Sequence, residues 1–471
     1  MALRASDPKK ARRSASALVV RLNGRATLEA HATGEIVAHA QGYAASLGVF
    51  GEDAASWMKK LGAGLPATTV AAGEKVSKLL VARLAARGLL EFGLTASSGE
   101  ELAVIEPQVA DYWPQTATLH DSDRLVLSRF AYLRRRGTDF VLESPRADAL
   151  FRLRDPNIAA ILALLATPHS LKELRRSKHF FDATLLGLLL HSQLLMKAEV
   201  ADGAALRRRE GDEQLVLWDF HDLLFHARST EGRHANPLGG AYPHAGAIAP
   251  LPAVRPGWSG KTVELPEPQA LSSFAELLRR RRSARSFDDD HPITLQELST
   301  FLDRSARVLS RWSDPSTDDG GHTSRPYPTA GAAYELELYL GVARCEGLER
   351  GFYHYDAGAH ALAALPAQES DFEASLAQAA QAMGVAVAPQ ILIVVASRFG
   401  RISWKYSAIA YSLILKDVGA LSQNFYLTAT DMQLGGCAIG ISNIDLFARL
   451  TGLALHVEGA VGQFALGRGV K

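Results

Sequence analysis

The sequence predicts an α+β protein of two or three domains, and three observations predict it. Its 471 residues exceed what one ordinary core accommodates. A helix-then-strand phrase occurs twice in the N-terminal half, once ending at Phe92 and once at Ala198. From Tyr334 onward, apolar runs of strand length alternate with stretches of helical period. An apolar fraction of 47% is that of a globular chain. A net charge of +1 gives no global attraction to nucleic acid or membrane, so each basic run must be judged locally. Two cysteines, Cys345 and Cys437, cannot build a disulfide framework or a Cys-rich zinc site, so a reducing, cytoplasmic setting is expected. No apolar segment follows the basic N-terminus, and no charge-free run reaches spanning length. Neither secretion nor membrane insertion is expected.

Residues 1–15 read as a disordered leader, and residues 16–22 as a strand. Helical stretches then lead to residues 76–87, where Val76, Leu79, Leu80, Arg83 and Leu84 recur at helical spacing. Gly88 stops that helix and residues 89–92 extend. The second copy has a strand at 140–143, an apolar helix at 158–165 and a short helix at 171–175 capped by Ser170. A long apolar helix and a strand follow at 183–198. Leu79 and Leu80 align with Leu185 and Leu186, Leu84 with Leu190, and Leu89 with Leu195. The expected units are residues 1–110 and 111–210.

Each unit resembles a winged helix, whose usual role is DNA binding. The candidate recognition helices argue against that role. Residues 76–87 offer Lys78, Arg83 and Arg87 only, and residues 183–193 offer no cation. Tracking phosphates needs several. Peptide docking is the favoured reading, with a scaffold or a DNA-binding role left open. Residues 218–228 form an aromatic helix in which His221 and His226 are five apart, poor spacing for two ligands on one face. Packing explains them better, and no metal site is expected. Residues 211–265 read as a linker, rich in Gly, Pro and Ala from 232, that wraps the last domain, residues 266–471.

That domain opens on a helix over 274–282 and a stretch, 277–287, that carries five arginines and two serines. Arginine offers a planar fork of donors matched to phosphate oxygens. A solvated basic turn is the plain alternative. Thr294 and Glu297 form a capping box for a helix over 295–309. Residues 310–324, with Asp314, Asp318 and Asp319, read as a loop. Strands are expected at 334–342, 351–355 and 391–396, and a long helix at 403–429. Its buried stripe is Tyr406, Ala410, Leu413, Asp417, Leu421 and Phe425. Lys405 and Tyr406 fall in its first turn, where the helix field opposes a cation and would lower the lysine's pKa. A base poised near neutral suits C–H deprotonation. A surface lysine beside a core tyrosine is the alternative. Residues 434–440 read as a glycine-rich loop.

The run Arg325-Pro-Tyr-Pro-Thr-Ala-Gly-Ala-Ala-Tyr334, then Trp404-Lys405-Tyr406, then residues 434–440 and 462–468, resemble the flavin nitroreductase superfamily. The likeness is to its azoline-oxidase branch, the SagB/McbC-type dehydrogenases. The wording at 404–406 and 442–447 is nearest the cyanobactin-type thiazoline oxidases. The resemblance is strong over about 266–471 and perceptible from about 210. It implies a nitroreductase-fold C-terminal domain preceded by the two winged-helix-like units. It implies FMN as cofactor. Arg281, Arg282, Ser283 and Arg285 would lie at the phosphate and ribityl chain, with Arg468 also near the phosphate. Pro328, Thr329, Ala330 and Gly331 would lie beside the flavin's pyrimidine end, with Thr329 where serine is commoner. Gly435, Gly436 and Ala438 would approach the ring face. Cys437 is expected to be a small packed residue.

In this family the Lys-Tyr pair is the catalytic signature, so Lys405 and Tyr406 are the expected catalytic residues. The implied reaction aromatises a thiazoline or oxazoline of a peptide, in ribosomal peptide natural-product biosynthesis, with O2 as electron acceptor. Which of the two residues takes the α-carbon proton is left open; a hydrogen-bonded pair would titrate as a unit. The implied partners are a heterocyclised precursor peptide, a second copy of the chain and a heterocyclase. Three alternatives stay open. They are an azoline oxidase acting on a carrier-bound non-ribosomal intermediate, an NAD(P)H-dependent nitro- or quinone reductase, and a non-catalytic winged-helix interaction or DNA-binding protein with a degenerate flavin domain.

Overall fold

The computed structural model describes residues 16–40, 43–50, 54–73, 75–96, 98–198, 210, 213–234, 240, 242, 244–267, 270–313 and 320–470. The expected leader and the middle of the expected acidic loop, residues 314–319, lie outside these. The chain forms two compact units, one of residues 1–216 with 232–235, the other of 217–231 with 236–471.

The first unit carries β1 (Ala17–Leu22), β2 (Ala26–Ala30), β3 (Glu35–Ala40), β4 (Tyr43–Val49), β5 (Leu65–Pro66), β6 (Leu90–Thr95) and β7 (Glu101–Pro107). It continues with β8 (Arg124–Leu127), β9 (Tyr132–Arg136), β10 (Asp139–Glu143), β11 (Ala149–Leu153), β12 (His169–Ser170) and β13 (Leu195–Lys197). Seven of them form one sheet in the order β5-β1-β6-β7-β11-β10-β9. Strands from before and after residue 110 meet in it, since β7 pairs antiparallel with β11. The region expected to be helical after β1 is instead the antiparallel sheet β2-β3-β4, a correction. Its period is two: Ile36 and Ala38 point inward and are buried. The helices Lys75–Ala85, Pro156–Leu164 and Ala183–His191 form where expected. Gly88 takes the left-handed φ of +63° that ends the first of them. Ser170 and Glu173 close a reciprocal capping box on Leu171–Leu174. The two copies diverge where packing demands it: Leu185 is fully buried, whereas its counterpart Leu79 is 43% exposed.

In the second unit β14 (Ser310–Trp312) pairs with β15 (His322–Ser324), so the ends of the expected loop form a hairpin. A six-stranded antiparallel sheet follows. Its strands are β16 (Leu336–Val342), β17 (Gly351–Asp356), β18 (Ala361–Leu365), β19 (Ile391–Arg398), β20 (Gly435–Ile439) and β21 (Glu458–Gly467), in the order β18-β17-β16-β19-β21-β20. Central β19 is buried along all but its last residue, as a strand covered on both faces must be. One face packs on helices Glu369–Met383 and Ile444–Thr451 through Phe372, Leu376, Phe447 and Leu450. The other meets helix Ala410–Asp431, whose Phe425 lies between Phe301 and Phe464. Phe301 sits on helix Leu295–Ala306, which the expected Thr294–Glu297 capping box opens. The aromatic helix Phe220–Ser229 belongs to this unit: Trp218 Nε1 donates to the His456 carbonyl at 2.7 Å. His226 is fully buried with Nδ1 3.0 Å from the Tyr411 hydroxyl, and burial pushes its pKa down to about 3. It is therefore a core residue, neutral near pH 7. Residues 244–267 form neither helix nor strand and are exposed throughout. Among the described residues no helix is long and apolar enough to cross a membrane.

The glycine-rich stretch expected as a loop is strand β20, paired with β21 residue for residue. Gly436 is dictated by packing: a Cβ there would stand 2.5 Å from Phe464 Cζ, in the core beneath the long helix. Gly436→Ala is expected to destabilise the protein by about 1–3 kcal/mol, read from urea unfolding, because the ring cannot retreat from the packed sheet.

Candidate active site

Lys405 and Tyr406 do not open the long helix. The chain makes a short helix, Phe399–Ser403, breaks, and restarts at Ala410. Ala408 adopts φ +52° in the break, which interrupts the helical ladder. The amides of Lys405 and Tyr406 both donate to the Ile402 carbonyl, at the C-terminal end of the short helix. The helix-start position on which the field argument rested is therefore absent, a correction. What the break achieves is display. Lys405 is exposed and Tyr406 half-buried, and both reach across to Gly331. Lys405 Nζ lies 3.4 Å from the Gly331 carbonyl. A Cβ on Gly331 would collide with the Tyr406 hydroxyl and stand 2.9 Å from Lys405 Nζ. Gly331 itself has φ +58°. Two reasons thus require glycine here: the left-handed backbone and the space the pair occupies.

The loop beneath the pair is held from inside. Thr329 Oγ1 accepts the Tyr334 amide at 3.1 Å. The Ala330 amide donates to Asp417 Oδ2 at 3.0 Å. Asp417 faces Glu335, and both are buried. Among the described residues neither Glu335 oxygen has a partner of good hydrogen-bond geometry, and its nearest polar neighbour is the Asp417 carboxyl, with which it interacts. Burial first, then the neighbouring Asp417 charge, pushes the Glu335 carboxyl up to about 8. Burial likewise raises Asp417. Two adjacent buried carboxyls cannot both ionise cheaply, so Glu335 keeps its proton near neutral pH and Asp417 is the acceptor for Ala330.

A second group of expected residues converges on Tyr426. Its hydroxyl is 2.9 Å from Ser283 Oγ and accepts the Ala438 amide at 2.8 Å. The Arg281 guanidinium lies over its ring, 5.0 Å from the centroid. The Ala284 amide donates to the Gly436 carbonyl at 2.9 Å, binding this segment to β20. Ala438 is exposed, in a strand otherwise buried. Arg282 and Arg285 are exposed and make no ion pair among the described residues. This half presents unneutralised cations, a hydroxyl pair and an open strand position, which fits the phosphate and polyol end of a flavin nucleotide. Arg468 differs: its guanidinium bonds the Glu297 carboxylate at 2.7 Å and the His291 carbonyl at 2.8 Å. Cys437 is buried. Among the described residues no group of His, Cys, Asp or Glu could hold a metal ion.

The structure thus assembles two groups, Thr329–Gly331 with Lys405 and Tyr406, and Arg281–Ser283 with Gly436 and Ala438. One helix links them, through Asp417 and Tyr426, roughly 13 Å apart along its axis. Sequence reasoning missed Glu335 and Tyr426. Glu335 had a signal, an acid at the start of an apolar strand; Tyr426 had none, since only the folded chain brings it to Ser283.

Comparison with known proteins bears on this geometry. A nitroreductase-family protein of Methanocaldococcus jannaschii (MJ1384) is 32% identical over 178 residues, 38% of this chain and 83% of that protein. The chain belongs to the nitroreductase family. The nitroreductase family model matches residues 278–468, and the model described as cyanobactin oxidase ThcOx matches residues 125–235. The first match covers the residues 325–468 from which the resemblance was drawn, the second adds the cyanobactin-oxidase likeness from the N-terminal half, and nitroreductase-family membership makes the protein an oxidoreductase of a generally flavin-dependent kind. Among solved structures, a nitroreductase-family protein of Anabaena variabilis is 27% identical with a TM-score of 0.32, over 36% of this chain and 34% of that one. This chain therefore spans about a third of that protein's length. The E. coli microcin synthetase McbBCD complex with truncated pro-MccB17 is 22% identical with a TM-score of 0.39, over 55% of this chain and 97% of that one.

The carboxyl pair has a thermodynamic consequence. Below pH 4.5, the ordinary glutamate value, Glu335 is protonated whether folded or not. Between there and its folded value of about 8, the unfolded chain has lost the proton and the folded chain keeps it, so stability falls as pH rises. Glu335→Gln removes this slope. The variant's thermal midpoint is expected to change less than wild type's across that window and to exceed it at pH 8. Parallel profiles for the two proteins would show that Glu335 ionises normally.

Proposed function

We propose that this oxidoreductase is an FMN-dependent azoline oxidase, which dehydrogenates thiazoline or oxazoline rings of a peptide to thiazole or oxazole in ribosomal peptide natural-product biosynthesis. One observation carries the reading: Lys405 and Tyr406 come together over Gly331, in the space that its missing side chain leaves to them. The match of residues 125–235 to a cyanobactin oxidase model supports the same substrate chemistry.

Arg281, Arg282, Ser283 and Arg285 would hold the FMN phosphate and ribityl chain. Pro328, Thr329, Ala330 and Gly331 would border the pyrimidine end, with Gly435, Gly436 and Ala438 toward the ring. Arg468 would reach the phosphate only on leaving Glu297. Bound FMN supplies a two-electron acceptor, which O2 then regenerates. The chain's own task is the proton. Aromatising an azoline removes a proton from the α-carbon and a hydride from the β-carbon. Lys405 Nζ or Tyr406 Oη takes the α-proton, and the exposure of Lys405 lets it pass that proton to water. Gly331 supplies the Lys405 contact through its carbonyl, so the loop aims the base. Ala330 and Thr329 fix that loop from beneath.

Three partners belong to the proposal: a heterocyclised precursor peptide, a heterocyclase and a second copy of the chain. Helix Ser273–Arg280 supports the last, for it buries no residue and leaves Phe274 59% exposed. Peptide docking is the role proposed for the first unit.

The test is anaerobic. Addition of a thiazoline peptide to the flavin-loaded protein should bleach its visible bands, and Lys405→Ala with the same FMN content should bleach at least about a hundredfold more slowly. Bleaching by NADH with no response to the peptide would replace the oxidase with a reductase.

A further inference from the structure

A cavity of about 620 Å³ opens in the second unit between helix Leu295–Ala306 and the turn that joins β17 to β18. Leu295, Leu298, Leu302, Leu348 and Leu362 make it chiefly apolar, and among the described residues no Lys, Arg, Asp or Glu lines it. None of its lining residues belongs to either group assembled at the candidate active site. A concave apolar site of this size with a few placed polar groups is the usual form of a small-molecule pocket.

Three of its polar groups are joined in one chain. Tyr355 Oη lies 2.8 Å from His360 Nδ1, and His360 Nε2 lies 2.9 Å from Ser299 Oγ. All three residues line the cavity. The turn holds the imidazole in place at a conformational cost. The Asp356 carboxylate accepts the Gly358 and Ala359 amides at 2.8 and 2.9 Å, and His360 follows with a left-handed φ of +54°. That backbone region is unfavourable for a residue with a side chain and concentrates where a side chain must be aimed at a ligand.

Counting protons shows what the chain offers. A neutral imidazole donates from one nitrogen and accepts at the other. Two hydroxyl protons and one ring proton therefore serve two hydrogen bonds, and one hydroxyl proton is left over, on Tyr355 or on Ser299. Tyr355 is only 2% exposed and has no further partner among the described residues, so a proton spared there would be buried and unpaired. The chain thus runs from Tyr355 through His360 to Ser299. On the same helix Thr300 and Ser305 return their protons to the Gln296 and Phe301 carbonyls, whereas Ser299 makes no such bond among the described residues. Its O–H is free to face the cavity. His360, which donates to Ser299, does not take its proton, so the array is a hydrogen-bond donor and not a nucleophile with its base. A carboxylate would lie in this pocket without a cation, at a desolvation cost that a neutral acceptor avoids. We propose that this cavity binds a neutral small molecule with an apolar body and one carbonyl oxygen, which accepts the Ser299 hydroxyl proton. The inference stands whether or not the reaction at Lys405 and Tyr406 is azoline oxidation.

The probe is acetylnaphthalene, an apolar ketone, titrated into the purified full chain by calorimetry. Saturable binding of one molecule per chain is expected. Ser299→Ala should weaken it about fivefold, the worth of one neutral hydrogen bond. Ser299→Thr, which keeps the hydroxyl, should restore it. Ala361 lines the cavity and is exposed, so Ala361→Trp places an indole in the opening without disturbing the core and should abolish binding. The corresponding naphthoate, equal in size but charged, should bind at least about tenfold more weakly than the ketone. Binding that survives Ala361→Trp lies elsewhere and overturns the proposal. Equal affinity in the wild type and Ser299→Ala, or a preference for the naphthoate, overturns it as well. So does the absence of binding; if light scattering then shows that Ala361→Trp dissociates a dimer, the cavity is covered by a second copy of the chain instead.

Discussion

Asp417 and Tyr426 sit on one continuous helix, Ala410–Asp431, and each closes a contact that positions a separate part of the chain. Asp417 receives the Ala330 amide and so sets the loop beneath Lys405 and Tyr406. Tyr426 receives the Ala438 amide and meets Ser283, so it ties the arginine segment to the edge strand. The helix can serve as this brace because Phe425 is locked between Phe301 and Phe464 in the core. Sheet, loop and arginine segment are thus set by one rigid element.

The electrostatics of the site follow from the same arrangement. An ionised Asp417 is useful because it accepts a backbone amide, and a protonated Glu335 permits that ion to exist in the core.

Much of this was legible in the sequence where local rules decide. The Thr294–Glu297 and Ser170 caps, the Gly88 stop and the apolar run of β19 are written in neighbouring residues. The β2-β3-β4 sheet was missed because its small residues carry a weak alternation that only the buried Ile36 and Ala38 make plain. The break before Ala410 was missed because residues 403–409 keep a helical period, whereas the chain turns at Ala408 to present the pair. The glycines of β20 had a motif's look, yet Gly436 answers to Phe464, a contact with no local trace. Tyr426 and Glu335 gain their roles only from partners far along the chain, and periodicity says nothing about those.

The central claim is that the arginine segment braced by Tyr426 holds a flavin nucleotide. Titration of the flavin-free protein with FMN, followed by the quenching of flavin fluorescence, tests it most directly. The account predicts saturable binding by the wild type, weakened at least about tenfold when Arg281 and Arg282 are both replaced by alanine. Undiminished affinity in that double variant, with its fold intact by circular dichroism, would contradict it.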